Sequence, residues 1–578
     1  MSGAGVHEPE PAGLPAVLAR HAADPERVAL VLPAGQAEER LTYADLWDRS
    51  ARCALALRRL GARKGDRVAL GMATRWEVLA AVVAVQRLGC TLVPLHDVAA
   101  LDRADAKQAV VMSALRAARA AWCLVGAASV DSYAAAIESN ALPARTVALE
   151  SLFGESAETD AFVDERLEDG DLALIQFSSG STASPKGVCL TRGNVNAHVA
   201  AICDRLHGLE DDVTVSWLPL FHDMGLIGAV LTTLWNGSTL VLMRPQDFVR
   251  HPLGWIENLS KYRATVTMGP QFAYSLCVAR SQGAVAWERL NGADLSRLRI
   301  ALNGSETVHP ELSDRFTERF SALGLKPGVL QPAYGLAENC LAVTMRHPGS
   351  EVPVRRVSRA AVAEGRLRDV PWADPASPDV QTVAGTGFPV RGTRVSIRDD
   401  EGCEVPAGRV GHIHVGGTSA TAAYCMANGE LVPAAVDGWV PTGDLGAMRG
   451  GELYVIGRVK EIIKSGGRTF VPSDIETAIQ SRLAEDLAGV AVFGFYDDEA
   501  GAEQVVVVAE APRGLAPDAQ QALPDRIRLC VLQEFQLPVR EVVAVRARTI
   551  PRTSSGKIQR VRLQSAYAQG ALGELVGA

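Results

Sequence analysis

A loop dense in hydroxyls and glycines follows an apolar run that is typical of a buried strand. The run covers residues 172–175, and residues 177–188 (the phosphate loop) read F-S-S-G-S-T-A-S-P-K-G-V. Glycines let the backbone approach an anion closely, and hydroxyls and N–H groups donate to phosphate oxygens. The lysine precedes the last glycine, unlike the order in a Walker A loop. The composition alone is also that of a flexible surface loop, so other segments must decide.

Length and composition indicate a multidomain globular protein. The chain has 578 residues, too many for one core, with 48% hydrophobic and 21% charged residues. Its net charge of −8, from 58 basic and 66 acidic residues, gives no general reason to expect a nucleic-acid partner. The 10 cysteines are scattered without a C-x-x-C pair, so structural zinc and a disulfide framework are not expected.

Targeting signals are not evident in the sequence. The first residues lack the basic-then-apolar order of a secretion signal, and the apolar stretch 78–85 ends at Gln86 and Arg87. That stretch is too short to span a bilayer. We therefore expect a cytoplasmic protein without integral membrane association.

Hydrophobic periodicity predicts an α/β fold. Helical patterns at 41–60 and 76–88 alternate with strand patterns at 68–72 and 91–95, which favours parallel pairing. Residues 131–170 are weakly patterned and are expected to be rich in loops. Short strand patterns at 394–398, 411–415 and 452–456 indicate a small antiparallel subdomain.

The C-terminal segment has the pattern of a separate small domain. Ser473 and Glu476 have the spacing of a capping box, and strand patterns at 490–495 and 505–509 precede a helical pattern at 524–535. We predict an N-terminal domain over 1–458 and a C-terminal domain over 459–578.

Three further motifs carry side chains suited to nucleotide chemistry. In Y-G-L-A-E at 334–338, an aromatic ring can stack on a base and a carboxylate can hold Mg²⁺. The aspartate of T-G-D at 442–444 can accept hydrogen bonds from both ribose hydroxyls. Lys557, after a glycine in I-P-R-T-S-S-G-K, can enter a site formed by another domain and offset developing negative charge. Alone, each is equally a packed tyrosine, a turn or a solvated lysine.

The ordered series of motifs resembles the adenylate-forming enzymes, from about residue 28 to 562. The text W-L-P-L-F-H-D-M-G-L-I-G at 217–228 is similar to the fatty acyl-AMP ligase branch of that superfamily. A histidine in such an apolar segment is otherwise most often a core residue. The resemblance implies a large N-terminal adenylating domain, with two α/β subdomains and a small β-rich subdomain, and a small mobile α+β C-terminal lid.

The resemblance also implies roles for individual residues. Lys557 and His222 would be catalytic, Glu338 would hold Mg²⁺, and Lys460 would be the hinge. The implied ATP and AMP contacts are Ser178, Ser179, Gly180, Ser181, Thr182, Lys186, Asn303, Gly304, Ser305, Glu306, Tyr334, Gly335, Asp444 and Arg458. The implied acyl contacts are His222, Asp223, Met224, Ile227, Gly269 and Phe272.

The expected reaction is the ATP-dependent conversion of a carboxylic acid, expected to be a fatty acid, to acyl-AMP with release of pyrophosphate. The acyl group would then pass to the phosphopantetheine thiol of a holo acyl carrier protein. Residues 350–386 resemble a segment associated with excluding coenzyme A, but Lys464 departs from the ligase pattern. Coenzyme A therefore remains an alternative acceptor. An inactive nucleotide-binding homologue is a more remote alternative, which the intact Glu338, Asp444 and Lys557 disfavour.

Overall fold

The computed structural model describes residues 13–34, 37–97, 106–154, 162–177, 186–374, 377–465, 468–497, 502–512, 514–553 and 556–572. The α-helices are α1 Leu14–His21, α2 Tyr43–Leu60, α3 Trp76–Arg87, α4 Ala106–Ala118, α5 Val130–Ser139, α6 Arg192–Leu206, α7 Thr232–Asn236, α8 Pro245–Arg250, α9 Leu253–Lys261, α10 Gln271–Arg280, α11 Ala284–Glu288, α12 Pro310–Ser321, α13 Arg359–Ala363, α14 Pro472–Arg482, α15 Pro517–Phe535 and α16 Arg560–Ala568. Within these described residues, none of the helices has the length and apolar character needed to cross a bilayer.

The strands form two large sheets and four smaller ones. They are β1 Val28–Ala34, β2 Ala37–Thr42, β3 Arg67–Gly71, β4 Thr91–Leu95, β5 Trp122–Val125, β6 Arg145–Ala148, β7 Leu172–Phe177, β8 Gly187–Thr191, β9 Val213–Ser216, β10 Thr239–Leu242, β11 Val266–Gly269, β12 Ile300–Asn303, β13 Leu330–Gly335, β14 Ala342–Met345, β15 Val354–Ser358, β16 Val380–Ala384, β17 Phe388–Pro389, β18 Thr393–Arg398, β19 Gly411–Gly417, β20 Ala423–Cys425, β21 Leu431–Pro433, β22 Val440–Arg449, β23 Glu452–Arg458, β24 Ile463–Ser465, β25 Arg468–Phe470, β26 Gly489–Asp497, β27 Ala502–Ala511 and β28 Val539–Arg546.

Two mixed sheets share one apolar core in the first part of the chain. Their strand orders are β21-β20-β8-β7-β4-β3-β5-β6 and β17-β14-β13-β12-β11-β9-β10-β1-β2. The core contains Leu30 and Val215 from one sheet, Leu70 and Leu92 from the other, and most of α3. Because α3 is buried between the layers, its stretch 78–85 is apolar on every side. The predicted α/β class is confirmed.

Parallel pairing brings the ends of three strands to one edge of the larger sheet. Gly269 at the end of β11 pairs with Asn303 at the end of β12, and Asn303 pairs with Pro332 of β13. The segments that follow these strands therefore open at the same edge, where open α/β sheets bind their ligands. These segments carry three groups of predicted site residues, which are Phe272 after β11, Gly304 to Glu306 after β12, and the Y-G-L-A-E motif at the end of β13.

Smaller sheets complete the fold, and all of their strands follow β14 in the chain. Strands β18-β19-β22-β23 form the predicted antiparallel subdomain, and β15 pairs with β16 beside it. The sheet β26-β27-β28 has two apolar clusters, one shared with α14 and α15 and the other with α16. The residues of these two clusters lie between 463 and 572, which is compatible with the predicted domain division at 458/459.

Two local predictions were wrong. Residues 131–170 contain most of α5, β6 and a 3₁₀ turn at Leu149–Phe153, in addition to loops. The helix α14 begins at Pro472 without a side-chain cap, so Ser473 and Glu476 do not form a capping box. Glu476 instead accepts a hydrogen bond from the backbone N–H of Val492 at 2.8 Å and pairs with Arg560 at 2.6 Å.

A buried ion pair joins three strands of the larger sheet at the edge opposite the motifs. Asp212, which is 3% exposed, lies 2.5 Å from Arg299 and accepts a hydrogen bond from Thr265 at 2.7 Å. Burial alone would raise the pKa of Asp212, but the bonds from Arg299 and Thr265 outweigh it and hold that pKa below its usual value. The pair connects the segments before β9, β11 and β12.

We expect Asp212→Asn to lower the free energy of unfolding by about 3 kcal/mol, because the change leaves the Arg299 charge largely buried without its partner. The urea midpoint at pH 7 measures the effect. Since the folded-state pKa of Asp212 is depressed, the wild-type advantage should be present above its unfolded pKa and disappear as the pH falls through the folded value.

The neighbouring residue supplies a matched control. Asp211 lies 3.6 Å from Arg297 with side chains 75% and 42% exposed, so Asp211→Asn should shift the midpoint little. Equal midpoints for the two variants would contradict the stabilising role of the buried pair.

Candidate active site

A large cleft lies between the motif edge of the sheet and the C-terminal segment. Its volume is about 2480 Å³, more than one small ligand needs. The N-terminal part contributes His222, Phe272, Glu306, Tyr334 and Glu338 to its lining, the β-rich subdomain contributes Asp444 and Arg458, and the C-terminal segment contributes Lys557 and Arg560. Side chains distant in sequence therefore converge on one space.

Tyr334, Asp444 and Arg458 form a connected group on one wall. The Tyr334 hydroxyl donates to Asp444 at 2.7 Å, and Arg458 Nε lies 3.3 Å from the same carboxylate. Cross-strand pairing of β22 with β23 places Asp444 opposite Arg458. Burial raises the pKa of Asp444, opposed by Arg458 and the Tyr334 hydroxyl. The group is held in place before any ligand binds.

Gly335 is required by the packing of the chain itself. A Cβ at this position would lie 1.9 Å from the carbonyl oxygen of Leu341, the acceptor for the N–H of Leu336 at 2.8 Å. Any side chain at 335 would push β13 away from the segment after it. The position of Tyr334 therefore depends on this glycine.

Glu338 forms a second polar centre. The Tyr424 hydroxyl donates to Glu338 Oε1 at 3.2 Å, and Lys186 Nζ lies 5.2 Å from the centroid of the Tyr424 ring. Burial raises the pKa of Glu338, and the nearby charge of Asp223 acts in the same direction. A cation would relieve this cost.

Glu338 fits a Mg²⁺ ion that arrives with a nucleotide. Within the part of the chain that the structure describes, no group of three His, Cys, Asp or Glu side chains could cage a metal. Mg²⁺ commonly takes one or two carboxylates and completes its shell with water and phosphate oxygens. A single carboxylate beside Tyr424, whose ring lies near Lys186, matches that requirement.

His222 and Asp223 lie together at the entrance of a wide helical segment. His222 Nδ1 is 2.6 Å from Asp223 Oδ1, and a π-helix follows over Met224–Leu231. π-Helical turns are frequent at functional sites. Burial opposes ionisation of Asp223, but His222 and Lys557 hold the pKa of this carboxyl below its usual value.

Lys557 reaches this centre from the C-terminal segment. Burial lowers the pKa of the Lys557 ammonium, although the charge of Asp223 acts in the opposite direction. Arg458 lowers this pKa further, while Glu306 and Asp444 raise it. The Lys557 ammonium is therefore influenced by charged side chains that belong to other segments of the chain.

The backbone before Lys557 packs directly on an aromatic ring. Gly556 has φ +89°, and a Cβ there would lie 2.6 Å from the ring of Phe272. The Phe272 N–H donates to Glu306 at 3.1 Å, and burial raises the pKa of Glu306. Phe272 thus contacts both Gly556 in the segment that carries Lys557 (the lysine loop, residues 556–557) and Glu306 at the base of the cleft.

Sequence reasoning missed an ion network beneath the lysine loop. Arg560 pairs with Glu461 at 2.8 Å and with Glu476 at 2.6 Å, which ties α16 to α14 and to the end of β23. It also missed Tyr424, which belongs to none of the motifs. The arginine three residues after Lys557 was a visible signal, but its partners could not be found from spacing.

The remaining predicted site residues are distributed unevenly. Met224, Gly304 and Ser305 line the cleft, whereas the lining does not include Ile227, Gly269 or Asn303. Asn303 is fully buried and donates to Gln271 at 2.9 Å, so it supports the cleft floor. Lys460 also lies outside the lining, next to Glu461. Ser178, Ser179, Gly180, Ser181 and Thr182 fall outside the described residues.

Arg359 connects the segment at 350–386 to the C-terminal helix α14. Its Nη1 lies 3.1 Å from Asp474, and its guanidinium lies 5.7 Å and 5.3 Å from the Phe470 and Phe535 rings. His309 is a further 3.9 Å neighbour of Asp474. These contacts hold the C-terminal segment over the cleft.

A protein-family model described as AMP-binding enzyme matches residues 18–425. The chain belongs to the AMP-binding enzyme family. The match ends at β20 and covers both large sheets except β21, so it includes the segments of Glu338 and Tyr424.

Individual AMP-binding relatives carry names with two kinds of acyl acceptor. The chain is 33% identical to the medium-chain-fatty-acid–[acyl-carrier-protein] ligase JamA of Moorena producens, over 69% of this chain and 68% of the relative. It is 32% identical to a Caulobacter vibrioides protein named as an acyl-CoA synthetase, over 93% and 92%.

A solved structure from a study of fatty acyl-adenylate ligases from E. coli and L. pneumophila superposes with a TM-score of 0.84. Its sequence is 30% identical, and the match covers 96% of this chain and 98% of the other. The predicted architecture and the predicted family are therefore confirmed, while the roles of single residues stay predictions.

We expect Gly556→Ala to displace the Lys557 loop, because the added Cβ meets the Phe272 ring and the residue must keep a left-handed φ. Lys557 should then react several-fold faster with an amine-selective reagent, read by peptide mass spectrometry. Gly514→Ala is the matched control, since Gly514 has φ +88° and open space around it. Equal labelling of Lys557 in both variants would show that the contact with Phe272 does not seat the loop.

Proposed function

We propose that this protein activates a fatty acid with ATP, forming acyl-AMP and pyrophosphate, and then transfers the acyl group to the phosphopantetheine thiol of an acyl carrier protein. The observation that carries the proposal is the convergence of Lys557 with His222, Glu306 and Asp444 in one cleft of an AMP-binding fold. ATP and the acid would meet at Lys557.

The nucleotide would occupy the wall formed by Tyr334, Asp444 and Arg458. The Tyr334 ring can stack on adenine, and Asp444 can accept hydrogen bonds from two ribose hydroxyls. Asn303, Gly304, Ser305 and Glu306 would contact the same nucleotide, with Gly335 allowing the backbone to pack closely. The phosphates would lie against the phosphate loop and Lys186, on the Tyr424 side.

The chemical step depends on positioning and charge. The carboxylate of the acid attacks the α-phosphorus, the bond to the β-phosphate oxygen breaks, and pyrophosphate leaves. Lys557 would offset the charge that builds where the two anions meet, and His222, fixed by Asp223, would orient the acid. Mg²⁺ held by Glu338 would neutralise phosphate charge.

The acyl chain would leave the reaction centre along Met224 and Phe272, both of which line the cleft. Gly228 and Leu276 extend the same apolar wall. Ile227 is buried behind this wall, and Gly269 contacts Trp255, so both would act on the chain through their neighbours.

The carrier protein is favoured as acceptor by the W-L-P-L-F-H-D-M-G-L-I-G segment and by the named function of the Moorena producens relative. Coenzyme A is the second candidate, favoured by Lys464 and by the name of the Caulobacter vibrioides relative. The closed position of the C-terminal segment suits adenylation, and rotation near Lys460 would be needed before a thiol can reach the acyl-adenylate.

We expect Lys557→Ala to reduce acid-dependent ATP–pyrophosphate exchange by roughly 100-fold, the scale of losing one preorganised transition-state contact. ATP binding, measured by calorimetry, should change much less. Thioester formation from chemically supplied acyl-AMP should also survive, since Lys557 acts in the first half-reaction.

The matched control is Lys261→Ala, an exposed lysine whose partners are Glu38 and Tyr262 and which lies outside the cleft. It should exchange pyrophosphate at the wild-type rate. Wild-type exchange by Lys557→Ala would remove this residue from the mechanism.

For the acceptor, we expect faster thioester formation with a cognate holo carrier protein than with coenzyme A, and stronger inhibition of the carrier reaction by salt. Carrier proteins are typically acidic, and cations near the C-terminal segment can steer them. Arg468 is suited to this because it donates to the Gln536 carbonyl and lies over the Phe470 ring, and neither contact offsets its charge. Arg468→Glu should therefore slow the carrier reaction selectively.

Arg526→Glu is the comparison, because Arg526 already pairs with Asp486 at 2.7 Å and contributes less net field.

Arg359→Ala tests the segment at 350–386 without deleting β15, whose Val357 is fully buried. It should raise the coenzyme A reaction relative to the carrier reaction. Efficient wild-type acyl-CoA synthesis, with no product on any holo carrier, would assign the protein to the coenzyme A alternative.

A further inference from the structure

The cleft continues past the reaction centre and opens at a second, basic mouth. From Phe272 its lining follows one side of α10 through Ser275, Leu276 and Ala279 to Arg280. These positions follow the i, i+3, i+4, i+7, i+8 spacing of a single helix face. The exposed end of α8, with Val249 and Arg250, forms the opposite side of this mouth.

An outer pocket of about 490 Å³ adjoins this mouth and shares part of its lining. Arg250, Arg280 and Gln282 line both spaces, and Arg289 and His251 line the outer pocket only. The residues that line the outer pocket include no Asp or Glu. The acyl path therefore leads from an apolar channel to a cluster of arginines.

The charges of these arginines are not offset locally. Within the described residues, no ion pair is formed by Arg250, Arg280 or Arg289, whereas nearby Arg244 pairs with Asp247 at 2.7 Å. Glu257 contacts His251 at 3.0 Å and does not belong to the lining of the outer pocket. Three guanidinium groups thus face a shared space with donors available for an anion.

A polar atom also interrupts the apolar wall of the channel. Ser275 Oγ is buried and has no hydrogen-bond partner among the described residues. Buried hydroxyls are normally satisfied by a partner or by water. Ser275 lies five residues before Arg280 on α10, so its hydroxyl marks a polar point along the channel and not the position of a distal group.

We infer that the acid this enzyme prefers carries a second anionic group at its far end, and that Arg280 and Arg250 bind this group as specificity-determining residues. Guanidinium groups bind carboxylates through paired, charge-assisted hydrogen bonds. The inference rests on the proposed function and adds the class of acid: a medium-chain α,ω-dicarboxylic acid.

Channel length sets the expected chain length. Phe272 lies beside the lysine loop, and Arg280 is eight residues further along α10, or about 12 Å at 1.5 Å per residue. An extended chain advances about 1.2 Å per bond, so roughly ten bonds separate the reacting carboxyl from the arginines. A monocarboxylic acid of that length would end among cations without satisfying them.

The test compares monocarboxylic and α,ω-dicarboxylic acids of matched length, from 8 to 14 carbons, in acid-dependent pyrophosphate exchange. The wild-type protein should favour the diacid by about tenfold in kcat/KM near 10 to 12 carbons, the effect of one partly exposed charge-assisted contact. This preference should weaken as salt rises.

Variants of Arg250 and Arg280 test whether these residues cause the preference for the diacid. Arg280→Ala or Arg250→Ala should remove most of the preference while leaving the matched monoacid within about twofold. Arg280→Glu should shift the preference toward an ω-amino acid of the same length, a gain that a merely destabilised protein would not show. Arg244→Ala, at the opposite end of α8 and paired with Asp247, should behave like the wild type.

Four results would contradict the inference. Activation of monoacids at least as efficient as that of diacids would overturn it and leave the proposed function standing. So would equal losses with both acids in Arg280→Ala. Binding to vesicles with 30% anionic lipid that needs Arg250 and Arg280, without any diacid preference, would assign the cluster to a membrane surface instead. If none of the acids supports pyrophosphate exchange, the proposed function is overturned and the inference with it.

Discussion

The seating of Lys557 among side chains from other segments is the interaction on which the candidate site depends. Moving an ammonium out of water is unfavourable, and burial does lower the pKa of this lysine. The cost is tolerated because Asp223, Glu306 and Asp444 act on the same cation. In return, the lysine lowers the cost of holding these carboxylates close together. The closed position of the C-terminal segment and the balance of charges in the cleft therefore depend on each other.

Mechanical support for this arrangement comes from three directions. Gly556 packs on Phe272, Arg560 joins Glu461 to Glu476, and Arg359 reaches Asp474 from the segment at 350–386. Each contact crosses between parts of the chain that are far apart in sequence. A rotation that admits an acceptor thiol would have to give up some of them. Their modest number is compatible with a lid that closes and opens during a catalytic cycle.

The sequence predicted the fold well because its signals are local and repeated. Alternating helical and strand patterns gave the α/β class, and ordered motifs gave the family. The errors came from patterns with two meanings. Ser473 and Glu476 have capping-box spacing, but Glu476 is taken by Arg560 and Val492, a contact over 84 and 16 residues. The helix α5 was missed because its apolar face is short: of its ten residues, only Tyr133, Ala136 and Ile137 are buried.

Substrate choice cannot be predicted from local sequence signals, because it depends on the shape of the cavity that remains after the chain has packed. Met224 and Phe272 line the channel, whereas Ile227, from the same motif as Met224, is fully buried in the core. Arg250 and Arg280 belong to no motif and are 30 positions apart, yet two helices bring them to one mouth. A scattered arginine is by default a solvated charge. Because the channel connects Arg250 and Arg280 to the site of Lys557, these two arginines can determine which acid binds with its reacting carboxyl beside Lys557.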